Sequence, residues 1–171
     1  ERYLLLPHGA SMGDGYGPLF VARRPMSVAE LRGARIAIPG LRTSAYLAAR
    51  LVLGEFDAAV VPFDRIMETV RRGEADAGLL IHEGQLTWAA EDFHKVLDLG
   101  TWWRDETGGL PLPLGVNAVR RDLPADVVRR VTAVLGDSIR YALGHRAPAV
   151  QHALRWGRGL ETSLADRFIG M

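Results

Sequence analysis

The run Leu79-Leu80-Ile81 stops at His82, and Glu83, Gly84 and Gln85 follow at once in the stretch GLLIHEGQLTW, residues 78–88. A neutral imidazole, with an unperturbed pKa of about 6.5, can accept a proton at physiological pH, so His82 is a candidate general base. If the apolar run is a strand, His82 lies just past its carboxyl end, where ligands collect in open α/β sheets. The plainer reading is a histidine hydrogen-bonded at a strand end. Glu83 is the nearest rival for the role of base. Successive side chains alternate across a strand, so both groups reach one cavity only if the backbone turns after His82. No second histidine completes a His-Glu-x-x-His pattern, and a metal site has little support.

The stretch IPGLRTSAY, residues 38–46, offers a second chemistry. A strand, a Pro39-Gly40 turn and a helix opening on Thr43 and Ser44 would set free backbone N–H groups at the sheet's carboxyl edge. Such a terminus can hold a carboxylate or phosphate, the helix dipole adding about 0.3–1 kcal/mol and up to ~2 when partly buried. The alternative is that Thr43 or Ser44 does no more than cap the helix. The glycine-rich stretch HGASMGDGYGP, residues 8–18, is followed by a strand-like PLFVAR, so it does not fit a nucleotide loop opening a helix and reads as a mobile loop bordering a cleft. Trp102 and Trp103 could stack on an aromatic ligand, with core packing the commoner use. The Arg pairs at 23–24, 71–72, 120–121 and 129–130 sit near element ends and read as solvated.

Composition narrows the chemistry further. Lys95 is the only lysine and lies inside an apparent strand, which sets aside P-loop nucleotide binding and Schiff-base catalysis. With no cysteine there is no disulfide, thiolate metal site or cysteine nucleophile. A net charge of +1 is too small to mark a nucleic-acid or anionic-membrane footprint. No apolar run approaches the ~18 residues of a spanning helix. At 171 residues, 48% of them hydrophobic, the chain can build a core without staples. Its opening, ERYLLLP, has no initiator Met and runs straight into an apolar strand, so the chain is expected to continue upstream of Glu1.

The elements that must position these groups alternate along the chain. Strands are expected at residues 3–6, 18–23, 35–38, 58–61, 77–81, 96–99 and 114–119. Helices are expected at 43–53, 63–72 and about 100–107, which predicts a mostly parallel sheet with helices on its faces. After Asp122 the pattern changes: Val127, Val128, Val131, Val134, Leu135, Ile139 and Leu143 form one long amphipathic stripe with Pro124 at its start. Two further helices are expected at 147–156 and 162–169, and this helical tail needs a partner surface, expected before Glu1. Pro111 and Pro113 confine residues 108–115 to a loop or a sheet edge.

Taken together, the stretches GYGPLFVAR, LRGARIAIPGLRTSAYLAARL, FDRIMETVRRGEADAGLLIHEGQLTW, VLDLGTWWRDETGGLPLPLG and VRRDL, which span most of residues 15–123, resemble the 1,4-dihydroxy-6-naphthoate synthases of the futalosine route to menaquinone. The resemblance implies an α/β fold like the type 2 periplasmic binding proteins, two lobes around a ligand cleft. One complete lobe would span residues 24–118, with crossings near Arg23 and Val119, and residues 1–23 and 119–171 would form part of the other. The family's opening stretch, with its Ser-Pro-Cys-Pro-Asn-Asp-type motif, has no counterpart here.

The resemblance also assigns roles. The family's proton acceptor falls on His82, and its substrate contacts fall on Ser44 and Ala45, with Thr43 adjacent. Ser44 stands where a second threonine is common and keeps the hydroxyl. The implied substrate, cyclic dehypoxanthine futalosine, bears a benzoate-type carboxylate. Removal of a proton beside a carbonyl would let the sugar-derived fragment leave as the second ring aromatises, a lyase reaction that needs neither a redox cofactor nor a metal. The implied protein is a cytoplasmic enzyme with a small-molecule carboxylate as partner. A solute-binding protein of the same architecture and a chorismate dehydratase-like enzyme are the alternatives.

Overall fold

The computed structural model describes residues 2–82, 84–156, 161–163, 165 and 166. In chain order its elements are β1 (Tyr3–Gly13), β2 (Leu19–Ala22), α1 (Val28–Arg32), β3 (Arg35–Ile38), α2 (Ser44–Leu53), β4 (Asp57–Val60), α3 (Ile66–Arg71), β5 (Ala77–Leu80), α4 (Gly84–Thr87), β6 (His94–Asp98), α5 (Leu99–Thr107), β7 (Leu112–Arg120), α6 (Ala125–Gly144) and α7 (Arg146–Leu154). The helix expected at 162–169 lies partly outside the described residues. Two compact units emerge, one of Met12–Leu114 and one of the residues up to Ser11 together with those from Gly115 onward.

The larger unit is built on a five-stranded sheet in the order β4-β3-β5-β2-β6. β3 runs parallel to β4 and β5, while β2 is antiparallel to both β5 and β6. Four strands therefore share one direction, as the alternating pattern predicted, and only β2 is reversed. Alternation along each strand sorts the core onto two faces. Phe20, Ile36, Ile38 and Leu79 pack with Leu31, Ala45, Ala49 and Leu99 on one side. Leu19, Val21, Ala37 and Leu80 pack with Ile66 and Val70 on the other. Each fully buried Leu, Ile or Phe contributes about 1.5–3 kcal/mol. Gly78 allows α3 to approach: a Cβ there would lie 2.5 Å from Ile66 Cγ2.

The boundaries differ from those the sequence suggested. Residues 19–22 do not belong with the first segment of the chain; fully buried, they form an interior strand of the five-stranded sheet. The changes of unit fall at Ser11/Met12, upstream of Arg23, and at Leu114/Gly115, a few residues before Val119. The glycine-rich stretch also departs from a simple loop, because β1 continues through it to Gly13. Helix α1 escaped the sequence reading although its Ser27–Glu30 capping box is complete.

In the smaller unit, Asn117 Nδ2 donates to the carbonyls of His8 and Gly9 at 3.2 and 3.0 Å, tying β7 to β1. Helix α6 rests on β1 through Gly136, where a Cβ would meet His8 at 3.0 Å. Within its stripe Val127, Val128, Leu135 and Ile139 are partly buried, while Val134 and Leu143 are about two-thirds exposed. Pro113 is exposed within β7, part of a two-stranded sheet in which both strands are edges, as a proline requires.

Candidate active site

One edge of the five-stranded sheet gathers the groups that the sequence singled out. The register sets Ile38 beside Val60, and Leu19 beside both Leu80 and Asp98. The ends of β3, β4, β5 and β6 therefore meet at this edge with the beginning of reversed β2. The segments leaving it are the turn into α2, residues 61–65, His82, the start of α5, and the 14–18 turn. β3 and β5 are direct neighbours. Adjacent strands lie about 4.8 Å apart, so the start of α2 and His82 leave the sheet side by side.

β5 ends at Leu80, and the chain turns at His82, whose φ is +54°. A left-handed conformation at a residue other than glycine costs about 1–3 kcal/mol and concentrates at functional sites. The turn that a projecting His82 requires is thus made by His82 itself. Its side chain is exposed, and the Phe63 ring stands edge-on to the imidazole, with ring centroids 5.0 Å apart and planes at 67°. The Gln85 backbone N–H donates to the His82 carbonyl at 3.1 Å. Glu83, the rival base, lies outside the described residues.

Thr43 is the N-cap of α2. Its Oγ1 accepts from the Tyr46 N–H at 3.1 Å and donates to the Gly40 carbonyl at 2.9 Å. The Ser44 hydroxyl donates to the Leu114 carbonyl at 2.7 Å. The Ala45 methyl is buried in the core. All three side chains therefore have structural partners, and what the helix start can offer an anion is the backbone N–H groups of Ser44 and Ala45, which no intrahelical carbonyl can reach. The capping reading and the anion reading coexist, because the cap takes the third N–H of the turn and leaves the first two.

Three further features of this edge were not evident in the sequence. Asp98 caps α5, accepting from the Gly100 and Thr101 N–H groups at 2.9 and 3.1 Å. Burial pushes its carboxyl up from the ordinary aspartate range, against the opposing pull of backbone N–H donors. The 13–17 turn lies directly on the start of α5: a Cβ at Gly100 would fall 1.9 Å from the Tyr16 carbonyl oxygen, and one at Gly17 would fall 2.7 Å from Gly100 N. Glycines in GDGYG thus serve close packing of backbone on backbone. The third feature is Gln85. With its amide turned so that both ends are satisfied, it donates to the Gly17 carbonyl at 2.9 Å and accepts from the His82 N–H at 3.1 Å. Asp98 directly before an apolar helix was the one readable signal among these. Trp102 and Trp103 pack against the core, so the plainer reading of that pair holds.

An open concavity of about 650 Å³, lined by Arg23, Arg24, Glu30 and Asp76 among others, lies at the opposite edge of the sheet. Arg24 pairs with Glu30 there, Arg23 donates to the Arg71 carbonyl, and Asp76 accepts from the Arg35 N–H. It contains none of the residues predicted for chemistry. Among the described residues no cluster of His, Asp and Glu could hold a metal ion, and no helix is long and apolar enough to cross a membrane.

A profile of a family described as menaquinone biosynthesis matches residues 1–170. The chain belongs to this family. It is 40% identical over 169 residues to a 1,4-dihydroxy-6-naphthoate synthase of Thermus thermophilus, and 35% identical over 177 aligned positions to one of Streptomyces coelicolor. The match takes in 99% and 100% of this chain but 60% and 62% of those relatives, so the chain spans about three-fifths of their length. A crystal structure of an Archaeoglobus fulgidus protein superposes with a TM-score of 0.91 at 45% identity, covering 98% of this chain and 62% of that one. An alkanesulfonate-binding protein of Xanthomonas axonopodis pv. citri superposes with a TM-score of 0.68 at 15% identity, covering 97% of this chain and 58% of its own. That likeness bears on the fold alone: α/β, of the periplasmic-binding-protein-like kind.

Proposed function

We propose that this chain carries the base-bearing part of a 1,4-dihydroxy-6-naphthoate synthase. On this reading the substrate is cyclic dehypoxanthine futalosine, and the reaction is a lyase step of the futalosine route to menaquinone in the cytoplasm. Residues 12–114 would be a complete lobe, and the smaller unit part of a second. The observation that carries the reading is the pairing, at one sheet edge, of a helix start whose first two N–H groups lie beyond reach of any intrahelical carbonyl and a histidine held in a left-handed turn.

On this reading each residue takes one role. The Ser44 and Ala45 N–H groups, with the α2 dipole behind them, hold the benzoate-type carboxylate. His82, exposed at the next strand end, accepts the proton beside the carbonyl; electrons then move to expel the sugar-derived fragment as the second ring aromatises. The matches to solute-binding proteins are at low identity, whereas both curated relatives above 30% identity bear the synthase name, which favours the enzyme.

The test is turnover in a chimera in which this chain replaces the matched segment of the Thermus thermophilus relative, with product followed by mass spectrometry. His82→Asn should lower kcat by about 10²–10⁴-fold, the usual range for a positioned general base. Normal turnover by that variant would refute the role of His82. Tight binding of the substrate by an unmodified chimera that forms no product would favour a solute-binding protein.

A further inference from the structure

We propose that Gln85 and Phe63 are positioning residues for His82, Gln85 clamping its backbone and Phe63 bounding its ring. The proposal rests on the reading of His82 as the base and extends it to how that base is held.

His82 needs such a device. β5 stops at Leu80, and His82 sits two residues later, exposed and with φ +54°. A histidine in this conformation gains by relaxing unless its surroundings hold it. Gln85 engages both of its backbone polar groups. The side-chain oxygen accepts from the His82 N–H at 3.1 Å, and the Gln85 N–H donates to the His82 carbonyl at 3.1 Å. The other end of the amide donates to the Gly17 carbonyl at 2.9 Å. That carbonyl belongs to a turn packed so closely on α5 that a Cβ at Gly17 would lie 2.7 Å from Gly100 N. The clamp is therefore anchored to rigid backbone from a different part of the sheet edge.

The ring is bounded from the other direction. Phe63 follows β4, and His82 follows β5, the two strands that flank β3. Their rings meet edge to face at 5.0 Å. The turn that carries Phe63 is closed by the Arg65 N–H donating to the Pro62 carbonyl at 2.8 Å. Catalysis by a base depends on holding it in reach of its proton, and a misplacement of about 1 Å can cost ~10²-fold. An amide suits the clamp because it donates and accepts at once; an ionised carboxylate only accepts, and a thioether does neither to any useful degree.

The test uses the full chain for spectroscopy and the chimera for turnover. Gln85→Met keeps the bulk and removes the clamp. In the chain, the His82 amide should exchange with solvent roughly 2- to 12-fold faster, the factor expected for one hydrogen bond. The His82 ring protons should lose part of the shift imposed by the Phe63 ring, and Phe63→Leu should remove that shift with less effect on amide exchange. Gln85→Glu at pH 7.5 should restore the His82 amide protection only in part, since the carboxylate cannot donate to the Gly17 carbonyl. In the chimera, Gln85→Met should lower kcat by up to about 100-fold with KM changed less than about twofold. Unchanged His82 exchange and ring shifts in Gln85→Met, or a loss confined to KM, would overturn the proposal. If Gln85→Met altered the His82 signals as expected while His82→Asn turned over normally, the failure would lie with the base assignment.

Discussion

Replacing Gly100 by Ala tests the packing that supports the whole sheet edge. The added Cβ would stand 1.9 Å from the Tyr16 carbonyl oxygen, 2.0 Å from its carbon and 2.6 Å from Gly17 N. All three atoms are backbone, so no side chain can swing aside. Overpacking against side chains costs about 1–3 kcal/mol, and a backbone clash this deep belongs at or beyond the top of that range. Alanine regains up to about 1 kcal/mol in a helix interior, less in the first turn where Gly100 lies. The net loss is therefore at least about 2 kcal/mol, or roughly 4–8 °C in midpoint at this chain length. Trp102 and Trp103 lie on the same helix, so their fluorescence during urea unfolding reports the affected unit. Gly33→Ala is the control. It caps α1 with φ −96°, and its Cβ would meet only the Glu30 carbonyl oxygen, at 3.9 Å. That variant should be neutral or more stable by about 0.4–1 kcal/mol, through the unfolded state. Equal midpoints for Gly100→Ala and wild type would refute the close-packing account, and with it the rigid anchor assigned to Gly17.

Three other outcomes are expected. His82→Gly relieves the left-handed strain, so the chain should gain up to about 1 kcal/mol in urea unfolding while the chimera loses turnover; a loss of stability would mean that the φ of His82 is not strained. Ser44→Pro removes one N–H donor and Ser44→Asp sets a negative charge against the anion, so both should weaken binding of a benzoate-type carboxylate in calorimetry, with the Asp variant recovering for an uncharged analogue. Equal losses for charged and uncharged ligands would argue against an anion site at α2. Hydrogen bonds from the Ser27 backbone, Arg24 and the Ser27 hydroxyl lower the Glu30 carboxyl to about 2. Its contribution is therefore fully present above its ordinary pKa and is lost as pH falls towards about 2, so Glu30→Gln should lower stability near pH 7 and flatten the fall in stability at acid pH.

Much of the candidate site was legible because its signals are local. The end of an apolar run at His82, and a Pro-Gly turn before Thr43-Ser44, need only strand alternation and capping chemistry to be read. Alternation of strands and helices likewise implies neighbouring parallel strands, which is why His82 and α2 could be expected at one edge. The strands themselves were found within a few residues, β1 excepted. What the resemblance added was a role for the histidine, which spacing alone left open between chemistry and a strand end.

The sequence by itself determined the strands, the long amphipathic helix and the residue types available for proton transfer, since these depend on side-chain periodicity and composition. Only the tertiary structure decided where the units divide, because the direction and neighbours of β2 are set by long-range pairing that four buried residues, Leu19–Ala22, do not encode alone. The same is true of the 13–17 turn and the Gln85 amide. Glycines in GDGYG look like a flexible loop until Gly100, far along the chain, presses its backbone against Tyr16. A glutamine three residues past a histidine is unremarkable until its amide bridges the His82 N–H and the Gly17 carbonyl. Short-range rules fix which way a residue faces within its element; contact between elements distant in sequence depends on how the sheet orders its strands.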